Sequence, residues 1–405
     1  MKLVWINIIL LFAVSSFAQN PNSWDPGVDF GAGQRDRAVS FGLLDKGYVA
    51  CGQDTADNIH NDLWEFDAAT QMWSQMASLP GSGRRNAVAF TIGDFAYVGT
   101  GVDNASAPLG NILNDFWKYD PLINSWTSIA NYPGAWGIGV YFATAFTGVD
   151  KGYVCGGKYG PDSYVDELWE YKASSDLWVQ RASFPGGIRY HMISYSVNGR
   201  AFMGLGANED VYLKDWWEYN AGTNVWTQRT DFPASERGDC ISFVLRNRGF
   251  VGLGTDGGYK QDIWEYNHNS DTWITRNDFP ALGRKFACAF VIADTAYVGT
   301  GNSPTGRKRS FYEYYRGSIM DITEEEQTLF TAYPNPVRYN FTLSEVATDF
   351  SHVSVINMNG KTMKTFARSS NGQYQIDNSL ASGIYLLALF NQTEMLGYQK
   401  ILIER

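Results

Sequence analysis

Five arginines stand at one recurring place in this chain: Arg35, Arg84, Arg189, Arg237 and Arg284. Guanidinium forks gathered around one opening suit carboxylate, sulfate or acidic peptide ligands, because their planar donors match an oxyanion two bonds at a time. A second series answers the first. Two residues before a recurring tryptophan lies an acid, Asp62, Asp115, Glu167, Asp215 or Asp262, with Ser310 in the sixth copy. The arginines therefore either face a ligand or form structural pairs repeated in each copy, Arg35–Asp62, Arg84–Asp115, Arg189–Asp215 and Arg237–Asp262. Val140 replaces the arginine opposite Glu167, and Arg284 faces Ser310, so Arg284 is expected to be the freest arginine for a ligand.

Two residues beyond each arginine the copies differ: Arg37, Asn86, Phe142, His191, Asp239 and Phe286. Positions that vary within a shared frame are better functional candidates than those that repeat. His191 and Asp239 come from adjacent copies and would serve either as an acid/base pair or as one hydrogen bond between neighbours. Trp136 lies in a three-residue insertion found in the third copy alone, and offers either a stacking face to a sugar or a cover for an edge. The ligand-binding candidates are thus Arg35, Arg37, Arg84, Trp136, Arg189, Arg237 and Arg284, with His191 and Asp239 as catalytic candidates.

The frame that positions these residues is a repeat of about 50 residues. Tryptophans recur in pairs nine residues apart, Trp64/Trp73, Trp117/Trp126, Trp169/Trp178, Trp217/Trp226 and Trp264/Trp273. Trp24 lacks an upstream partner, and Tyr312 stands where a sixth first tryptophan would be. If the Trp24 segment pairs with the Tyr312 strand, the ring closes from N- to C-terminus and leaves no open sheet edge. Each copy reads as four short antiparallel strands, here lettered a to d from axis to rim. Strand b is expected to run to a glycine, Gly52, Gly101, Gly157, Gly206, Gly254 or Gly301, whose missing side chain opens a path from arginine to acid. Strand d is expected to run from the second tryptophan to a proline, Pro80, Pro133, Pro185, Pro233 or Pro280.

On that glycine and the spaced aromatics after it, residues 19–317 resemble the Kelch-repeat propellers, although only the third copy has two adjacent glycines, Gly156 and Gly157. The fold implied is all-β: a six-bladed Kelch-type β-propeller with N-to-C ring closure, followed by a small C-terminal β-sandwich. In such proteins ligands bind on the face of the b–c and d–a loops, where the arginines begin strand a. The resemblance extends to galactose oxidase and to the sialic acid epimerases. Copper oxidation is disfavoured, since His60, His191, His268 and His352 are all the histidines and do not converge. An epimerase would need a proton-transferring pair, His191 and Asp239, and Arg237 to grip a carboxylate.

The two ends carry their own signals. Residues 1–18 read as a signal peptide, with Lys2, an apolar run from Leu3 to Val14 and the boundary Ser16-Phe17-Ala18. Residues 318–329 read as an acidic linker. Residues 330–405 alternate apolar and polar residues, and Asn359-Gly360 between two such runs signals a hairpin. The ordered set Pro334, Asn335, Pro336, Gly360, Gly383, Tyr385 and Lys400 makes this tail resemble the sorting domain of the type IX secretion system. That resemblance implies a Bacteroidetes-type bacterium, export across the outer membrane, and partners in the secretion machinery and a sortase-like peptidase, leaving the protein released or attached to the cell surface.

Composition narrows the classes. With 42 Asp and Glu against 32 Lys and Arg, the chain is unsuited to nucleic acid or anionic membranes. No run after the signal peptide approaches the roughly 18 apolar residues of a membrane span. Cys51, Cys155, Cys240 and Cys288 read as buried thiols, with a Cys240–Cys288 bridge as the alternative. No cofactor is expected, and the acidic loops 54–62 and 256–262 read as polar turns rather than metal sites. Three functions remain: a secreted binding protein for a glycan or protein ligand, which is favoured; a carbohydrate-active enzyme such as a sialic-acid-epimerase-like mutarotase; or an architectural module.

Overall fold

A computed structural model describes residues 22–103, 110–209, 211–315, 330–344, 350–357, 362–376, 380–391 and 394–404. The chain divides into two compact units, Met1–Arg316 and Gly317–Arg405. Among the described residues of the first unit, six four-stranded antiparallel sheets form the blades of a β-propeller. Their a strands are Val39–Leu43, Val88–Ile92, Thr144–Thr147, Ile193–Val197, Ile241–Leu245 and Cys288–Ile292. The sixth blade is closed by the N-terminal strand Ser23–Pro26, which pairs with Phe311–Tyr315 and places Trp24 opposite Tyr314 and Pro26 opposite Tyr312. The two ends of the propeller thus share the last blade, and the N-terminal strand gives that sheet its fourth, outer strand.

The aromatic spacing has a packing reason. In each blade the aromatic of strand a lies opposite the aromatic of strand b, as in Phe41–Tyr48, Phe146–Tyr153 and Phe243–Phe250, with ring centroids 5.1, 4.7 and 4.8 Å apart. Second tryptophans tie neighbouring blades together. Trp126, Trp178, Trp226 and Trp273 donate Nε1–H to the carbonyls of Ala77, Ala130, Ala182 and Thr230 in the blade before, and Trp24 does the same to Asn277. Trp73 breaks the series: among the described residues its buried Nε1 has no hydrogen-bond partner, and its ring lies against Phe290 and Phe311 of the sixth blade.

Two boundaries differ from the sequence expectation. Strand d of the first blade ends at Met76, before Pro80, because the residue preceding each proline turns inward as a plug. Leu79, Tyr132, Phe184, Phe232 and Phe279 are buried, and each N–H donates to a loop carbonyl of its own blade, as Phe232 does to Lys214 at 2.9 Å. Strand b of that blade ends at Ala50, before Gly52. Gly52 has φ +88°, and its N–H donates to the Arg84 carbonyl of the next blade at 2.8 Å. A Cβ there would lie 2.6 Å from the Asp36 carbonyl oxygen, so glycine answers backbone geometry and close approach rather than a path for side chains.

The second unit is a β-sandwich. A three-stranded sheet (Thr331–Tyr333, Asn340–Ser344, Gln373–Gln375) and a four-stranded sheet (Thr362–Ala367, His352–Asn357, Gly383–Asn391, Glu394–Ile403) share one core, including Phe341, Tyr374, Val355, Leu387 and Ile401. Asn335 Oδ1 accepts the Leu402 N–H at 2.8 Å, Pro334 and Pro336 follow cis bonds, and Tyr385 donates its hydroxyl to the Ala381 carbonyl. Gly383 begins its strand. Gly360, the side chain of Lys400, the signal segment and the linker lie outside the described residues. The four cysteines are buried free thiols, so Cys240 and Cys288 are not bridged. Burial pushes the Cys51 thiol up to about 12. No helix among the described residues is long and apolar enough to cross a membrane.

Candidate functional site

The six variable residues form a closed ring at the propeller axis. Each passes its backbone N–H to the carbonyl of its counterpart in the preceding blade: Asn86 to Arg37, Phe142 to Asn86, His191 to Phe142, Asp239 to His191, Phe286 to Asp239, and Arg37 to Phe286, at 3.0 to 3.3 Å. All six are left-handed, with φ of 55° to 58°. That conformation costs a residue with a side chain roughly 1–2 kcal/mol. It persists because every blade needs the same turn to enter strand a beside the axis. The ring opens onto a channel cavity of about 210 Å³ whose deeper wall is made of small residues such as Ala38, Ala87, Ala143 and Ala287.

The ring's side chains contact one another. His191 Nδ1 meets Asp239 Oδ1 across the blade boundary. Phe142 lies 3.9 Å from the His191 ring and 6.0 Å, nearly parallel, from Phe286. Arg37 stacks its guanidinium over Phe286 at 4.2 Å and pairs with Asp36 at 3.0 Å. Gly238 makes room for the histidine, since a Cβ there would come 2.9 Å from the His191 Cβ. The geometry thus offers an imidazole–carboxylate pair, a cation and two aromatic faces around one opening.

A second tier, one residue earlier in each blade, adds to the charge. Arg85 donates Nη1–H to Gln53 Oε1 at 2.8 Å, and among the described residues no carboxylate lies within ion-pair distance of it. Its buried Nε has no hydrogen-bond partner among the described residues. Burial, with Arg37 and Arg307 nearby, pulls the Arg85 guanidinium below its usual value. Arg307 reaches over from the sixth blade to Asp57 and Asp36, each at 3.0 Å. Lys285 lies against the rings of Tyr259 and Phe286, and Lys158 against those of Tyr164 and Tyr190. Sequence reasoning missed Arg85, Arg307, Lys158 and Lys285. A signal was present for two of them: the residue after each recurring arginine, or after Val140 in the third copy, also varies, reading Asp36, Arg85, Tyr141, Tyr190, Gly238 and Lys285.

The recurring arginines themselves are not at the opening. Arg35, Arg84, Arg189 and Arg237 are buried, and each grips the acid of its own blade with both Nη atoms, as Arg84 does to Asp115 at 2.8 and 2.7 Å. The acid also accepts Nε1–H from the tryptophan two residues on, for example Trp117 to Asp115. Each arginine Nη1 donates further to a backbone carbonyl, from Cys51 for Arg35 to Leu253 for Arg237. With their donors turned inward, these four hold blades together, which corrects the expectation that they bind ligand. Arg284 is corrected too. It is as buried as the others, donates to Ser310 Oγ and to the carbonyls of Ser310 and Thr300, and burial lowers its guanidinium to about 10.

The third blade solves its missing arginine differently. Glu167 accepts Trp169 Nε1–H at 2.9 Å and the Ala135 N–H at 3.0 Å, so the insertion supplies a backbone donor where the guanidinium would be. That turn leaves Trp136 79% exposed. Among the described residues no group of three or more His, Cys, Asp and Glu is placed to hold a metal ion.

Fold and site together define a six-bladed β-propeller with a cationic, aromatic channel mouth, joined to a sandwich tail. Residues 331–404 match the secretion system C-terminal sorting domain, which indicates type IX export to the medium or the cell surface. Part of the chain is similar to N-acetylneuraminate epimerase of Escherichia coli O157:H7, 30% identical over 116 residues, and of Shigella flexneri, 29% identical over 116 residues. These matches cover 29% of this chain and 30% of each relative, so they span under a third of either enzyme. The solved structure of YjhT, a β-propeller, is similar with a TM-score of 0.60 at 15% identity, over 71% of this chain and 95% of that one. At that identity the likeness is one of fold.

Proposed function

We propose that this is an exported binding protein that holds an acidic glycan at the mouth of its propeller channel. The observation that carries the reading is Arg85. Two carboxylates, Asp36 and Asp57, serve the three guanidinium groups of Arg37, Arg85 and Arg307, and Arg85 is left with an amide for a partner. A carboxylate-bearing sugar would supply the missing charge, while Phe142 and Phe286 face its apolar side. The sorting tail supports delivery outside the cell, with a Bacteroidetes-type source, a peptidase that removes the tail, and Pro334, Asn335, Pro336, Gly360, Gly383, Tyr385 and Lys400 as its signal.

The test is calorimetry of the full chain with uronic acids and N-acetylneuraminate, beside Arg85→Gln and Arg37→Gln. Binding that weakens about tenfold or more in Arg85→Gln, in a folded protein, supports the reading; binding unchanged in both variants overturns it. A second reading, epimerase-like proton transfer, is favoured by the His191–Asp239 contact at the same opening and by the partial similarity to N-acetylneuraminate epimerase. Exchange between sugar anomers followed by proton NMR, lost in His191→Gln, would select it; no exchange above buffer would leave binding alone.

A further inference from the structure

We infer that Trp136 and Tyr159 form an outer sugar-stacking subsite on the rim between the second and third blades, so that the ligand is an acidic oligosaccharide. This deepens the proposed function and rests on it. Trp136 is 79% exposed and left-handed, with φ 59°, an unfavourable backbone for a bulky residue. The turn is nevertheless held firmly. Gly137 N–H donates to the Pro133 carbonyl at 2.9 Å, Asn114 Nδ2–H to the Gly137 carbonyl at 2.6 Å, and Ala135 N–H to Glu167. The Tyr159 ring meets Trp136 edge-on at 5.4 Å and 68°, which makes an aromatic corner with the indole exposed.

The occupant follows from size and charge. A stable protein partner needs about 800 Å² per side, whereas the exposed large apolar side chains of this turn are Trp136 and Ile138 alone. One indole instead matches one pyranose face. The hairpin formed by Lys158–Gly160 and Ser163–Tyr164 links this corner to the mouth. It turns Tyr159 toward Trp136, and one residue earlier, on its other face, it sets Lys158 against Tyr190, whose ring lies 4.7 Å from His191. A chain seated at the ring can therefore cross the hairpin past a cation and place a further unit on Trp136. Successive acidic units suit the positive side chains along that route, Arg37, Arg85 and Lys158.

The experiment titrates the full chain with uronic acid monomers and trimers of the pectate and alginate types, using wild type, Trp136→Ala and Trp136→Phe. We expect a trimer to bind at least about tenfold tighter than its monomer, Trp136→Ala to erase that gain without changing monomer affinity, and Trp136→Phe to keep part of it. Equal monomer and trimer affinities in the wild type, or a trimer gain untouched in Trp136→Ala, overturn the subsite while the mouth reading stands. Silence for both lengths in the wild type overturns the subsite for acidic oligosaccharides, and silence toward N-acetylneuraminate as well overturns the mouth reading.

Discussion

Arg85 Nη1 lies 2.8 Å from Gln53 Oε1, so a guanidinium beside two others is answered by an amide where Arg35, Arg84, Arg189 and Arg237 have carboxylates. Replacing the amide by an acid should complete the pair. In Gln53→Glu the new carboxylate would satisfy Arg85 and compete with a ligand's own, so acidic-sugar affinity should fall about tenfold, while the lost Nε2 donor to Asp57 and the carboxylate set against it lower thermal stability. Calorimetry and a melting curve on the same sample check both. Unchanged affinity would remove Arg85 from the site.

The blade pairs make the opposite prediction. Asp115→Ala leaves the buried Arg84 charge with backbone carbonyls alone, and breaking a buried pair of this kind costs about 3–5 kcal/mol. The double variant Arg84→Met, Asp115→Leu should lose much less, because no unpaired charge remains. Denaturant unfolding distinguishes the two, and equal losses would mean that packing rather than charge holds this site.

Arg284 offers a gain. Its blade has Ser310 in place of an acid, and burial holds its guanidinium at about 10. Ser310→Asp should restore the arrangement of the other blades and stabilise the propeller by roughly 1–2 kcal/mol, read as a higher Tm. A lower Tm would show that the sixth blade cannot seat the carboxylate.

Stability should also fall in mild acid because of His268. This side chain is 4% exposed, and its Nδ1 has no hydrogen-bond partner among the described residues. Burial first, then Arg200 and Arg248, lowers it from 6.5 to about 4. The folded state therefore binds fewer protons than the unfolded one between those values. The histidine's contribution is complete above 6.5, declines as pH falls, and is lost by about 4, a change of about 3 kcal/mol. Unfolding measured at about pH 7, 5.5 and 4 should show this decline. His268→Phe, which removes the titrating ring beside Phe202, should flatten it; an unchanged slope would assign it to other groups.

The repeat itself was legible in the residues. Trp117/Trp126 and the pairs after it mark strands c and d because the first indole answers its acid and the second reaches the neighbouring blade, duties that fix both residue type and spacing. Trp24 and Tyr312, each half of an incomplete pair, therefore announced ring closure by their types and positions alone. The acids two residues before each first tryptophan likewise stated the pairing partners of Arg35, Arg84, Arg189 and Arg237.

Which cations reach the opening was decided only in three dimensions. Arg84 and Arg85 are neighbours in sequence, yet one is buried on Asp115 and the other stands beside Arg37 and Arg307. Extended backbone sends successive side chains to opposite sides, and Arg307 arrives from a hairpin far along the chain, so no spacing rule could group them. The left-handed ring from Arg37 to Phe286 has the same origin. The sequence showed that six positions vary together; only closing the circle, each N–H finding the carbonyl of the blade before it, set their side chains around one channel.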